Sequence, residues 1–221
     1  MRKIQRLVAA GAMVALSVTL SACGGVPSTE NPVTPAPSAT TVPDAGSGVT
    51  TTSNVFGPMC AQLPQAAAPG SLDVMAPMPV ASAAGSNPEL QELTKALRAA
   101  GLVDTLNGQK EITVFAPYDS AFDETHRSLG DARYQQLLAD KDALGSVLKY
   151  HVIAKRYNKD GLITAGSTVT LSGGALQFKV DGDSMTVTDS SGQVAHVLCG
   201  NIPTANATVF VIDKVLMTQP S

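Results

Sequence analysis

Apolar positions follow three different patterns along the chain. Leu7 to Leu20 is one uncharged, mostly apolar run behind Arg2, Lys3 and Arg6. From about Pro77 to His151 the apolar positions recur at helical spacing. After Asn158 they alternate. Residues 24–56 between the first two regions show neither a period of 2 nor one of 3.6.

In the helical region, Asn87-Pro88-Glu89 predicts a helix start, with Asn as N-cap, Pro at the first helical position and an acid in the first turn. Leu90, Leu93 and Leu97 share one face, and Gly101 ends the element. Leu102, Val103 and Leu106 continue into a second short element. Residues 112–116, Ile-Thr-Val-Phe-Ala, read as a short buried strand stopped by Pro117. Asp119 is placed to cap a helical turn holding Ala121 and Phe122. Tyr134, Leu137 and Leu138 share a face in 131–139, as do Leu144, Val147, Leu148 and His151 in 142–151.

The alternating region predicts strands at 168–171, 175–180, 185–188, 193–198 and 208–216, separated by Gly-, Ser- and Asp-rich turns. Helices first and strands afterwards imply an α+β class, a single domain whose helices pack on an antiparallel β-sandwich or folded sheet.

Composition narrows function. The 221 residues carry 15 Lys+Arg against 18 Asp+Glu and are only 4% aromatic. No basic excess is available to neutralise phosphates, and few rings are available to stack bases, so a nucleic-acid partner is not expected. The charged fraction, 15%, is below the roughly 25% of ordinary soluble domains. The deficit lies in the leader and in a Pro/Ser/Thr-rich stretch.

The leader has a positive start and a 14-residue apolar run, shorter than the roughly 20 residues of a membrane span. Leu20-Ser21-Ala22-Cys23 resembles a bacterial lipobox, in which the cysteine is acylated and becomes the new N-terminus. The expected organisation is a lipoprotein signal peptide over 1–22, an acylated Cys23 heading a tether over 23–56, a lead-in over 57–78 and the domain over 79–218. One acyl chain anchors only marginally, and several on one cysteine anchor stably. Without residues 1–22, 12 basic and 18 acidic side chains remain, a formal charge of −6. The tether cannot bury enough surface to offset its ordering entropy and reads as a spacer. Taken to Met59, its reach is about 35 Å as a coil and about 110 Å extended. Its composition also suits an O-glycosylated stalk, with Thr50, Thr51 and Thr52 as the candidate cluster.

Cys60 and Cys199 remain. An even pair in an exported chain suggests a disulfide, with two inert thiols as the alternative. There is no Cys-x-x-Cys, and His126, His151 and His196 show no ligand spacing, so no metal or other cofactor is expected. No Gly-x-Ser-x-Gly, His-Glu-x-x-His or phosphate loop is present, and no catalytic residue is nominated. His126 beside Asp123 and Glu124 reads as a solvated helix end or, less simply, as a metal ligand. Asp181-Gly182-Asp183 reads as a hairpin turn rather than a calcium loop. Asn206-Ala207-Thr208 matches a glycosylation sequon by pattern only.

Three segments carry a resemblance. TVFAPYDSAF at 113–122, LKYHVI at 148–153 and TVFVIDKVLM at 208–217 resemble, in order and spacing, the first block, the Tyr-His segment and the second block of the fasciclin (FAS1) domain. With the lipobox, the tether and the cysteine pair, the chain is similar to the mycobacterial surface-lipoprotein and secreted immunogenic members of that family. The resemblance implies adhesion or host and matrix recognition without catalysis, on an immunogenic surface protein. It implies a binding role for Tyr150-His151 and for an Asp-Ile pair before the second block. Here that pair is Asn201-Ile202, so the acid is absent, and Tyr118 stands where the family more often has Thr or Asn. His151 also lies on the apolar face of its helix, where a hydrogen-bonded core histidine is the alternative. The rival function is an envelope carrier holding a small lipid or metabolite in an apolar cleft.

Overall fold

Ile112–Pro117 and Ala207–Ile212, here β1 and β7, run parallel in the middle of the sheet and are buried on both faces. Each therefore reads as an unbroken apolar run. Ile112, Val114, Ala116, Ala207, Val209 and Val211 enter the cluster under the helices, whereas Phe115, Phe210 and Ile212 enter a second cluster between the two parts of the sheet. A two-residue side-chain period thus assigns one strand pair to two cores. The computed structural model describes residues 48–182 and 184–218. The signal segment, Cys23 and the tether up to residue 47 lie outside the described residues.

Among the described residues the helices are α1 (Leu72–Met75), α2 (Val80–Ser86), α3 (Gln91–Ala100), α4 (Val103–Gly108), α5 (Asp119–Leu129), α6 (Asp131–Ala139), α7 (Lys141–Tyr150) and α8 (Lys159–Ala165). None is long and apolar enough to cross a membrane. The start predicted at Asn87 is present: its Oδ1 accepts from the Glu89 N–H at 2.9 Å, and a single 3₁₀ turn leads into α3. Gly101 closes α3 with φ +67°, a conformation that suits glycine. Asp119 behaves differently from expectation. It lies inside α5, and its Oδ1 accepts from the Glu92 N–H of α3 at 2.9 Å. It satisfies an orphan donor on a helix 27 residues earlier, a partner only the fold supplies.

The strands are completed by β2 (Val152–Ile153), β3 (Ser167–Val169), β4 (Ala175–Asp181), β5 (Ser184–Thr188) and β6 (Val194–Pro203). Their order is β2-β1-β7-β6-β5-β4-β3. The sheet is mixed: all adjacent pairs are antiparallel except β1 with β7. Strand β6 is longer than its alternation predicts because it serves two partners in turn. Its first residues pair with β5, and those from Val197 onward pair with β7. Beyond β3, the Leu171 N–H donates to the Val152 carbonyl at 2.7 Å, so the two edge strands meet.

Helix α8 has no counterpart in the period-two reading of the region. It begins at an Asn158 cap whose Oδ1 accepts from Gly161 N–H, and it buries only Leu162, too little to show as helical periodicity. Strand β7 ends at Ile212, short of the predicted 216. Val215 to Met217 are instead held by side chains: His151 Nε2 accepts from Leu216 N–H, Asp189 Oδ2 accepts from Met217 N–H, and Gln193 donates to the Val215 carbonyl.

Candidate functional site

The segment entering the domain is fastened to a bulge in β6. The ladder between β6 and β7 shifts register twice between Val197 and Ile202, and Asn201 has φ +59°. Gly200 and Phe56 exchange backbone hydrogen bonds at 2.8 and 3.2 Å. A Cβ on Gly200 would come within 2.5 Å of the Phe56 ring, so the close approach requires glycine. The Phe56 ring meets Phe210 edge-on at 6.2 Å. Met59 N–H donates to Leu198 O at 3.0 Å, and Thr208 Oγ donates to Gly48 O at 2.8 Å. Cys60 and Cys199 form a disulfide with a Cα–Cα distance of 4.9 Å. The docked strap therefore includes residues 48–56, the last nine residues of the stretch assigned to the tether, because its backbone finds partners on the sheet that the local sequence does not reveal.

Asn201 works in both directions at this bulge. Its Nδ2 donates to the Asn54 carbonyl at 3.1 Å, and its Oδ1 accepts from Lys159 N–H at 2.8 Å. Strap and α8 are thereby joined through one amide. A carboxylate has no N–H to give Asn54, so asparagine makes here a contact that the acid implied by the resemblance could not.

Tyr150, His151 and Ile202 were candidates for contact with a partner, and the structure places all three inside the domain, at 0%, 2% and 2% exposure. Tyr150 Oη donates to Ala175 O at 3.0 Å and accepts from Ser190 N–H at 2.8 Å, bridging α7 to the start of β4 and the turn after β5. His151 Nδ1 faces Val147 O at 2.8 Å while Nε2 takes the Leu216 N–H at 2.9 Å. That pair of partners requires the neutral Nδ1–H tautomer. Burial pushes the imidazole pKa down to about 4, outweighing the Val147 hydrogen bond and the Asp189 charge, which both raise it. With both ring nitrogens and the phenol committed internally, Tyr150-His151 frames the core and offers no surface here, and Ile202 packs beneath the helices.

Of the threonine cluster, Thr50 is buried and its hydroxyl has no hydrogen-bond partner among the described residues. Thr51 Oγ lies 2.8 Å from both Ser53 Oγ and Asn54 Oδ1, and Thr52 is exposed. Asn206, within the sequon pattern, is a structural knot. It accepts from Val80 N–H and donates to the carbonyls of Leu106 and Gln109, tying α2 to α4.

His126 stacks on Tyr134 with ring centroids 4.4 Å apart and faces Asp131 Oδ1 at 2.7 Å, while Glu124 pairs with Lys214 instead. His196 faces Asp213. Among the described residues no group of three or more His, Cys, Asp or Glu side chains is arranged to hold a metal. Beneath α2 and α3 the apolar cavity measures about 30 Å³, room for a water and roughly tenfold short of a typical small-molecule site.

The fasciclin domain family's sequence model matches residues 88–218. The cell surface glycolipoprotein MPT83 of Mycobacterium tuberculosis is 44% identical over 154 residues, covering 67% of this chain and 64% of that protein. The chain thus matches somewhat less than two thirds of that relative's length. The immunogenic protein MPB70 of Mycobacterium bovis is 39% identical over 171 residues, 74% of this chain and 82% of that protein. The solved FAS1 domain pair of the insect cell adhesion molecule fasciclin I matches with a TM-score of 0.56 at 18% identity, covering 63% of this chain and 51% of that one, a likeness of fold.

Proposed function

Because the chain belongs to the fasciclin domain family, we propose that it is a lipid-anchored surface protein that displays this domain for adhesion or recognition of a host or matrix protein, acting by binding and not by catalysis. The similarity to surface and immunogenic mycobacterial proteins supports the surface location. The lipobox-like Leu20-Ser21-Ala22-Cys23 supports the anchor, and exposed Thr51 and Thr52 are the positions of the cluster open to a glycan.

The observation that carries the reading is the covalent joint between strap and sheet. Cys60 follows the docked strap that leads in from the tether, and Cys199 lies in the strand that spans both parts of the sheet. A load applied from the N-terminal side can strip the backbone bonds of the strap only as far as Cys60, where a covalent bond into the sheet stops it. A display module held at the end of a flexible spacer needs such a joint.

Two measurements test this. Fatty-acid labelling is expected on the wild-type chain and lost in Cys23→Ala, which should leave the membrane fraction; persistent labelling removes the anchor. Beads carrying residues 23–221 are expected to show saturable binding to host cells or matrix, and its absence removes the recognition role.

A further inference from the structure

The pocket next to Gly48 lies at the point where the described chain begins. It has a volume of about 410 Å³ and is lined by Lys155, Arg156, Tyr157, Asp160 and Thr164, among others. Lys155 Nζ rests 4.8 Å from the centroid of the Tyr157 ring, and the nearby Lys159 Nζ 4.6 Å from that of Phe56. Among the described residues, neither ammonium nor the Arg156 guanidinium has a carboxylate oxygen within 4.0 Å. Arg156 donates through Nη2 to Thr204 O, while its buried Nε has no partner. Burial disfavours the charge on this guanidinium, and Glu111 offsets that only in part. Three cations therefore fall within five residues of a chain that is otherwise acidic, with Asp160 the acid on the lining.

We propose that this pocket is an anion site in which Lys155 and Arg156 on the lining, joined by Lys159 from just beyond it, receive the phosphodiester of an anionic membrane-lipid headgroup. Two lysines parked on aromatic faces can turn to a phosphate without breaking an ion pair, and a guanidinium edge gives directional, charge-assisted bonds. The location selects a lipid as the source. Twenty-five residues separate Cys23 from Gly48. A chain of that length reaches about 27 Å as a coil and about 78 Å fully extended, so of the described residues this part of the domain is on the shortest leash to the bilayer carrying the anchor. Apart from these three, the residues from 23 on carry 9 basic and 18 acidic side chains, so the rest of the chain is on balance repelled by anionic lipid. The proposal rests on the lipid-anchor reading for its location, and its effect is to orient the domain, pocket towards the membrane and the opposite surface outward.

The test uses residues 23–221 with Cys23→Ser, which keep every contact described above and carry no acyl group. Sedimentation with phosphatidylcholine vesicles is compared with phosphatidylcholine–phosphatidylglycerol vesicles. Binding is expected only to the second. The double variant Lys155→Glu/Lys159→Glu should weaken it by roughly 25-fold or more, from about fivefold per basic residue at an anionic surface. Arg133→Glu/Lys179→Glu, an equal charge change at exposed positions elsewhere, should change it little. Urea midpoints establish that each variant is folded. Absence of phosphatidylglycerol-dependent binding, or equal loss in both double variants, overturns the proposal. So does a response of the Lys155 and Lys159 resonances to inorganic phosphate without vesicle binding, which makes free phosphate the ligand. Because the tested chain lacks an acyl group, failure here is separate from failure of Cys23 labelling.

Discussion

The side-chain amide of Asn201 donates to the backbone carbonyl of Asn54, 147 residues earlier in the chain. Its oxygen simultaneously accepts from Lys159 N–H, so one residue holds the strap and the start of α8. This use of both ends of an amide makes Asn201→Asp a sharp probe. The variant loses a donor and sets a carboxylate oxygen against a carbonyl, at a cost of about 1–3 kcal/mol near neutral pH. Protonation restores a donor, so the deficit relative to wild type should shrink as the pH falls. Urea unfolding of both proteins over a pH series checks this; a deficit that is unchanged at acid pH contradicts the geometry.

The Cys60–Cys199 disulfide closes a 139-residue interval. Chain-entropy arguments put its stabilisation at about 5 kcal/mol as an upper figure, with 2–5 kcal/mol usual for a native bridge in a small exported domain. Cys60→Ala/Cys199→Ala should lower the melting temperature by that equivalent. Protease should then cut first within residues 48–60, where the strap relies on backbone bonds alone. A thiol assay on the denatured, unreduced mature chain should find no free thiol from this pair.

His151 predicts a pH dependence with a defined sign. Its folded pKa is about 4, below the unfolded value near 6.5, so the unfolded state binds the extra proton between these values. The stabilisation is complete above about pH 6.5 and declines as the pH falls towards 4, by about 3 kcal/mol. Other groups add their own slopes, so the readout is the difference between wild type and His151→Phe, which should lose this component. NMR titration of the ring should give a midpoint well below 6.5; a midpoint at or above it refutes the buried neutral tautomer.

Tyr150→Phe removes the hydroxyl that joins Ala175 O and Ser190 N–H. Stability should fall by about 1–3 kcal/mol, since two backbone groups lose a partner. Binding to cells or matrix, measured where the variant remains folded, should be unchanged. A specific loss of binding would mean that the Tyr-His segment becomes exposed on engagement.

Much of the first half was legible because its signals are local. The Asn87 cap, the Leu90-Leu93-Leu97 face and the Gly101 stop each depend on neighbours within one or two turns, and α3 follows them. The strand at 112–116 was legible from its apolar run, but its parallel pairing with β7 was not, since its partner lies about 95 residues away. Helix α8 was lost because a single buried leucine cannot mark a period. The candidate site fared unevenly. Counting cysteines was enough to raise the disulfide. The apolar position of His151 already allowed a core role, yet the family motif also suggested a surface one, and only its two ring partners separate these readings. Lys155 and Arg156 gave no sequence signal beyond spacing, since their pocket is completed by Gly48, more than a hundred residues earlier.

The sequence by itself determined the α+β order, the single domain and the family, because composition, motifs and short-range periodicity are properties of contiguous residues. Tertiary structure decided which polar groups are spent inside the domain and which remain outside. Asn201, Asn206, Asp119, Tyr150 and His151 look alike on the page as polar residues near motifs. Each satisfies a backbone group, most of them on distant segments, and the cost of leaving such a group unpaired holds Asn201, Tyr150 and His151 inside the domain and Asp119 and Asn206 half-buried at its edge.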